Sequence, residues 1–166
     1  MLKELLTTEG FQIIMTRDSD AIMAPFDSKS PKKDDLIART KLIEETNPIF
    51  TVSIHQNSFP DASVSGPQVF YYTNSAEGKL LADTIQACLN EQLQPKKARV
   101  SQFNDAYFLL KNTPTPIVIV ECGFLSNADE ANLLIQESYQ QNIAQAICDG
   151  LLAYYTSNSS VPESSE

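Results

Sequence analysis

The residues Ile117-Val-Ile-Val120 form an unbroken β-branched run. A strand with one face in water alternates apolar and polar side chains, so an uninterrupted run fits a strand covered on both faces, as in a largely parallel sheet between helices. This one segment demands a layered architecture. The rest of the chain supplies the layers. Leu80, Leu81, Ile85 and Leu89 stripe a helix over residues 76–93, and Ile143, Ala146, Ile147 and Leu151 stripe another over 139–155. Strands alternating with helices give a single layered α/β domain with a largely parallel or mixed sheet.

The remaining elements follow from spacing and turn chemistry. Leu2, Leu5 and Leu6 share a helical face that ends at Gly10, so the chain opens on a helix without an N-cap. Residues 11–16 read as a β-rich run, and residues 17–33 as a polar loop. A helix then opens at Asp34 or Asp35, with Leu36, Ile37, Leu42 and Ile43 inward, and ends near Asn47-Pro48. Residues 49–54 form a strand with Phe50, Val52 and Ile54 on one face and Thr51, Ser53 and His55 on the other. Further strands are expected at 68–72 and 107–110, and a helix at 128–137. Residues 157–166 are polar and Ser-rich, and they read as a disordered tail on a domain of residues 1–156.

Composition removes several functions. Twelve Lys and Arg against 21 Asp and Glu give a net charge of −9, which repels phosphate backbones and argues against nucleic acid. No stretch reaches the roughly 18 apolar residues of a membrane span. The first ten residues lack the apolar region of a signal peptide. Cys88, Cys122 and Cys148 are odd in number and widely spaced, and they read as buried thiols.

Candidate chemistry gathers at strand ends. Glu121 directly follows the β-branched run, where the carboxyl ends of strands line a ligand crevice and an apolar setting raises a carboxylate pKa. It is either an acid or base, or a strand-end ion-pair partner. His55, the single histidine, is a metal ligand, a general base or a structural residue. Arg17 and Arg39 bind an anion or pin loops through ion pairs, and Asn57 orients a neighbour or caps a turn. Ser126 with Asp129, or Asn127 with Glu130, matches a helix capping box.

These segments together resemble the zinc-dependent N-acetylmuramoyl-L-alanine amidases that cut bacterial peptidoglycan. The resemblance runs through Thr16-Arg17, Asp35-Leu36 to Arg39, Ser53-Ile-His-Gln-Asn57 and Tyr107-Phe-Leu-Leu-Lys-Asn112. It is strongest in Pro116-Ile-Val-Ile-Val-Glu-Cys-Gly-Phe-Leu-Ser-Asn127. Ser58-Phe-Pro60 and Ser65-Gly66 lean toward the germination or sporulation branch.

The resemblance implies that His55 is a zinc ligand and Glu121 the catalytic carboxylate. The implied reaction hydrolyses the amide between N-acetylmuramic acid and L-alanine, with peptidoglycan as partner and an extracytoplasmic place of action. The family's His-Gly-Gly loop and the ligand Glu of its first helix have no counterpart here. Aligning Leu2 to Gly10 with the end of that helix places both upstream of Met1, and Glu4 lies too late to serve. The first strand and the start of the first helix are then missing, which implies a sheet edge or gap and weak zinc binding. Cys122 is a replacement ligand only if it shares a face with Glu121, and adjacent strand residues do not. The alternative is an inactive remnant that at most binds peptidoglycan.

Overall fold

The computed structural model describes residues 1–159. Its centre is β4 (Ile117–Phe124), eight residues long and buried throughout. β1 (Thr51–Asn57) runs parallel to β4 on one side and β2 (Gln68–Tyr71) antiparallel on the other, with the two-residue β3 (Gln102–Phe103) parallel to β2 at the far edge. The sheet order is β1-β4-β2-β3, so it is mixed.

Period-two alternation along β4 divides the interior. Val118, Val120 and Cys122 point into the larger core with Leu81, Ile85 and Leu89 of α3 (Ala76–Leu93) and Ile147 and Leu151 of α6 (Glu137–Ser159). Ile117 and Ile119 point the other way, onto Ile43 of α2 (Pro31–Thr46) and Leu109 and Leu110 of the single turn α4 (Phe108–Lys111). Full burial of each such aliphatic side chain contributes roughly 1.5–3 kcal/mol. α1 (Leu2–Thr8) packs on α6, and α5 (Ala128–Leu134) follows β4.

Helix ends follow local chemistry. Ser75 caps α3 by accepting the Gly78 N–H. α1 ends in a Schellman arrangement: Gly10, at φ +89°, donates to the Thr7 carbonyl and Phe11 donates to that of Leu6. This turns Phe11 against Phe50 and Tyr155.

Several elements differ from the sequence expectation. α2 begins three residues before Asp34, because Pro31 occupies a position where its missing N–H costs nothing. Ile37 of its expected stripe is exposed, as is Leu80 of α3, while Asp35 and Thr40 are buried instead. Residues 107–110 are not a strand: Tyr107 is the extended N-cap of α4, and the helical turn buries the consecutive Leu109 and Leu110. The strand in this region is β3, too short to leave a periodic signal. Residues 11–16 join no ladder, because a cavity of about 660 Å³ separates them from the outer edge of β1. α6 runs to Ser159, so residues 157–159 of the expected tail are helical, and the rest of that tail lies outside the described residues. Among the described residues no helix is long and apolar enough to cross a membrane.

The α3–α6 contact depends on Gly150, where a Cβ would lie 2.6 Å from the Ile85 Cα and 3.0 Å from its nitrogen. Overpacking against backbone costs about 1–3 kcal/mol. Alanine returns up to ~1 kcal/mol of helix propensity, the smaller effect. Gly150→Ala is therefore expected to lower the urea midpoint of unfolding without a change in m-value.

Candidate active site

His55 and Glu121 are paired residues of the adjacent parallel strands β1 and β4. Registered neighbours project to the same side of a sheet, so both lie on the face covered by α2 and α4. The sequence placed each at a strand end, but β4 continues to Phe124 and β1 to Asn57, with an irregularity between His55 and Asn57. Both residues therefore stand inside the ladder.

Glu121 is only 6% exposed. Its Oε1 accepts the Tyr107 hydroxyl at 3.4 Å, while its Oε2 is buried with no partner. Burial raises its pKa above the ordinary carboxylate range, and the Tyr107 hydrogen bond pulls more weakly in the opposite direction. The Tyr107 phenol is raised in turn, by burial first and by the Glu121 charge second. Tyr107 was not a candidate from the sequence, since a strand assignment gives no reason to aim it at Glu121. The signal present was its place at the head of Tyr107-Phe-Leu-Leu-Lys-Asn112.

The His55 ring exchanges a hydrogen bond with Ser53 Oγ at 2.9 Å through Nε2. Its pKa is lowered by partial loss of hydration, then by the positive charges of Arg39 and Arg17. The imidazole is thus held toward its neutral form. Arg39 forms an ion pair with Asp35 at 2.8 Å, and Asp35 also accepts the Met23 N–H at 2.8 Å. This is the loop-pinning alternative. Burial opposes ionisation of Asp35, but the Met23 and Arg39 bonds outweigh it and leave its pKa lowered.

The loop after β1 is braced by polar side chains. Asn57 Oδ1 accepts the Ser58 N–H, and Ser126 Oγ accepts that of Phe59. Asn127 caps α5 by accepting the Glu130 N–H. The return bond of a capping box is absent from Glu130, whose buried carboxylate instead accepts Gly66 N–H at 2.7 Å and Phe124 N–H at 2.8 Å. Gly66 is at φ +94°, and a Cβ there would meet the Lys97 carbonyl at 2.7 Å. Arg99 lies over the Phe124 ring at 5.0 Å and donates to Ser65.

Cys122 points into the opposite core, as alternation predicts, and burial pushes its thiol up to about 12. It cannot join His55 as a thiolate. Zinc sites use three or four protein ligands. His55 is the one expected ligand, and among the described residues no group of three or more His, Cys, Asp or Glu could hold a metal. The side chains described here do not fit a zinc ion by themselves.

With this geometry in place, comparison with known proteins identifies the class. The sequence pattern of the N-acetylmuramoyl-L-alanine amidases matches residues 1–153. The chain belongs to this family, whose members hydrolyse the amide between N-acetylmuramic acid and L-alanine in peptidoglycan. It is 36% identical over 165 residues to the germination-specific N-acetylmuramoyl-L-alanine amidase of Bacillus subtilis, covering 98% of this chain and 69% of that relative. A probable cell wall amidase, LytH of Staphylococcus saprophyticus, is 30% identical over 93% of this chain, which spans 46% of the LytH length. The solved CwlD amidase of Clostridioides difficile, in complex with the GerS lipoprotein, superposes with a TM-score of 0.90 at 33% identity. That match covers 94% of this chain and 81% of the other.

The raised Glu121 pKa has a defined sign. A carboxyl that holds its proton more tightly when folded contributes stability at low pH, and this is lost as pH rises from the unfolded pKa through the folded one. Chemical denaturation is expected to show Glu121→Gln more stable than the parent at neutral pH, with the difference shrinking as pH falls through the raised folded pKa and levelling off below the ordinary Glu value of about 4.3. Tyr107→Phe is expected to move the Glu121 pKa further upward, read by carbon NMR of labelled glutamate.

Proposed function

We propose that this chain is an amidase domain acting on peptidoglycan in the cell wall, outside the cytoplasm, with Glu121 as its proton carrier. The observation that supports it is the unpartnered, buried Oε2 of Glu121 on the face shared with His55. A carboxylate with a raised pKa sits closer to the working range of a general base than an exposed one. In the reaction, water oxygen bonds to the lactyl carbonyl carbon as its proton passes to Glu121. The carbon–nitrogen bond then breaks, and that proton moves to the departing L-alanine nitrogen. Tyr107 holds Oε1 and leaves Oε2 as the atom that exchanges the proton.

Zinc belongs to this reading through the family resemblance. It would polarise the amide carbonyl and acidify a bound water, and His55 would be the donor this chain contributes. The name of the Bacillus subtilis relative extends the reading to germination.

With His55 as its one zinc donor, a second reading is favoured for the 166 residues alone, a module that binds peptidoglycan without cutting it. Incubation with purified, insoluble peptidoglycan separates the two. Release of stem peptides, reduced about 10²–10⁴-fold in Glu121→Ala, supports hydrolysis by this chain. Co-sedimentation without release supports binding alone. Elemental analysis after dialysis against trace zinc is expected to give well under one zinc per chain. A value near one would mean that His55 has further ligands.

A further inference from the structure

β1 ends at Asn57 beside Phe124, and β2 begins at Gln68 beside Glu121. Since β4 lies between them, the connection over residues 58–67 crosses the carboxyl end of β4. It leaves β1 two residues beyond His55, a rise of about 7 Å. A connection of this length without helix or strand ordinarily moves more than the elements it joins. This one is tied at three points by a single short stretch at the head of α5. Ser126 Oγ accepts the Phe59 N–H at 3.0 Å, Asn127 Nδ2 donates to the Ala62 carbonyl at 2.9 Å, and Glu130 Oε1 accepts the Gly66 N–H at 2.7 Å.

The third tie is the costly one. Glu130 is only 8% exposed, and burying a carboxylate is unfavourable unless hydrogen bonds hold it. Its two oxygens divide between two segments, since Oε2 accepts the Phe124 N–H at 2.8 Å. Capping of α5 needs neither bond, because Asn127 already accepts the Glu130 N–H. The carboxylate therefore locks the crossing loop to the end of the strand that carries Glu121. What this fixes is an apolar pair at the rim of the site. Phe59 and Leu125 are 51% and 56% exposed, and their segments run together, with the Leu125 N–H donating to the Asn57 carbonyl at 2.8 Å. One exposed apolar side chain is ordinary, but two on braced, adjoining segments beside a site mark a ligand surface.

We propose that Phe59 and Leu125 form a wall that receives the sugar chain of peptidoglycan, a choice of ligand that rests on the reading above, and that Glu130 is the positioning residue that holds this wall in place. The substrate offers two kinds of surface around its scissile amide. The stem peptide carries carboxylates, which Arg17, at the outer edge of β1 beside His55, attracts. The pyranose rings are uncharged and present faces of C–H groups, which pack on aromatic and aliphatic side chains through dispersion. The wall crosses the end of β4, away from the outer edge of β1. An amide set over His55 and Glu121 thus directs its peptide toward Arg17 and its sugar onto Phe59 and Leu125.

The test is an NMR titration of the nitrogen-labelled full chain with the N-acetylglucosamine tetramer, a glycan without stems, and separately with the dipeptide L-alanyl-γ-D-glutamate. The tetramer is expected to move the Phe59 and Leu125 amides saturably, and Phe59→Ala to weaken its binding about 10-fold. Glu130→Gln, which replaces one acceptor oxygen by a donor, is expected to speed hydrogen exchange at Gly66 and to weaken the tetramer to a similar degree. The double variant is then expected to bind no more weakly than Phe59→Ala alone, because both changes act through one ring, whereas a merely structural Glu130 would add its own loss. If Glu130→Gln fails to fold, Ser126→Ala, which removes the tie at Phe59, is expected to give the same pattern. Absence of saturable shifts at Phe59 and Leu125, shifts there with the dipeptide instead, or additive losses in the double variant overturn the proposal. Release of stem peptides from peptidoglycan without tetramer binding overturns the wall and leaves the hydrolytic reading standing. Tetramer binding by a chain that neither retains nor cuts peptidoglycan supports the wall and overturns that reading instead.

Discussion

Burial of β4 on both faces sets the terms for everything around it. Its aliphatic side chains cannot be exposed without opening both cores, so α3 and α6 are held on one face and α2 and α4 on the other. The same strand carries Glu121 in the register that points toward the smaller core. A carboxyl there is covered because its neighbours are. The cost of burying a charge is met by the cooperative packing of a strand that has no exposed alternative.

The same cover acts on both candidate residues, which are registered neighbours on β1 and β4. Loss of hydration destabilises the charged form of each, and it moves their pKa values in opposite directions, Glu121 upward and His55 downward. Burial therefore favours the uncharged form of both side chains on this face of the sheet. Arg39 contributes twice, through its field at His55 and through the Asp35 bond that anchors the loop at Met23.

The layers, the central strand and the separation of His55 from the apolar face of its strand were legible because they depend on periodicity, which each segment carries in itself. Phe50 and Val52 against Thr51, Ser53 and His55 is a pattern of period two, and the structure keeps it. What was hidden depends on partners distant in sequence. Gln86 accepts the Val69 N–H and donates to the Pro67 carbonyl, so a buried amide joins α3 to β2, and no local signal distinguishes it from a surface glutamine. Tyr107 failed for the same reason, because its role comes from α4 folding over the sheet. Residues 11–16 have strand composition but lack a neighbour, and a ladder needs two edges.

The three thiols differ in accessibility in a way that has a practical use. Cys122 and Cys148 are buried in the larger core, whereas Cys88 on α3 is partly open. An alkylating reagent reaches Cys88 from the native state, but the other two only when α3, α6 and β4 separate. The chain therefore carries its own gauge of breathing: one sulfur records surface access, and two record how often the interior comes apart.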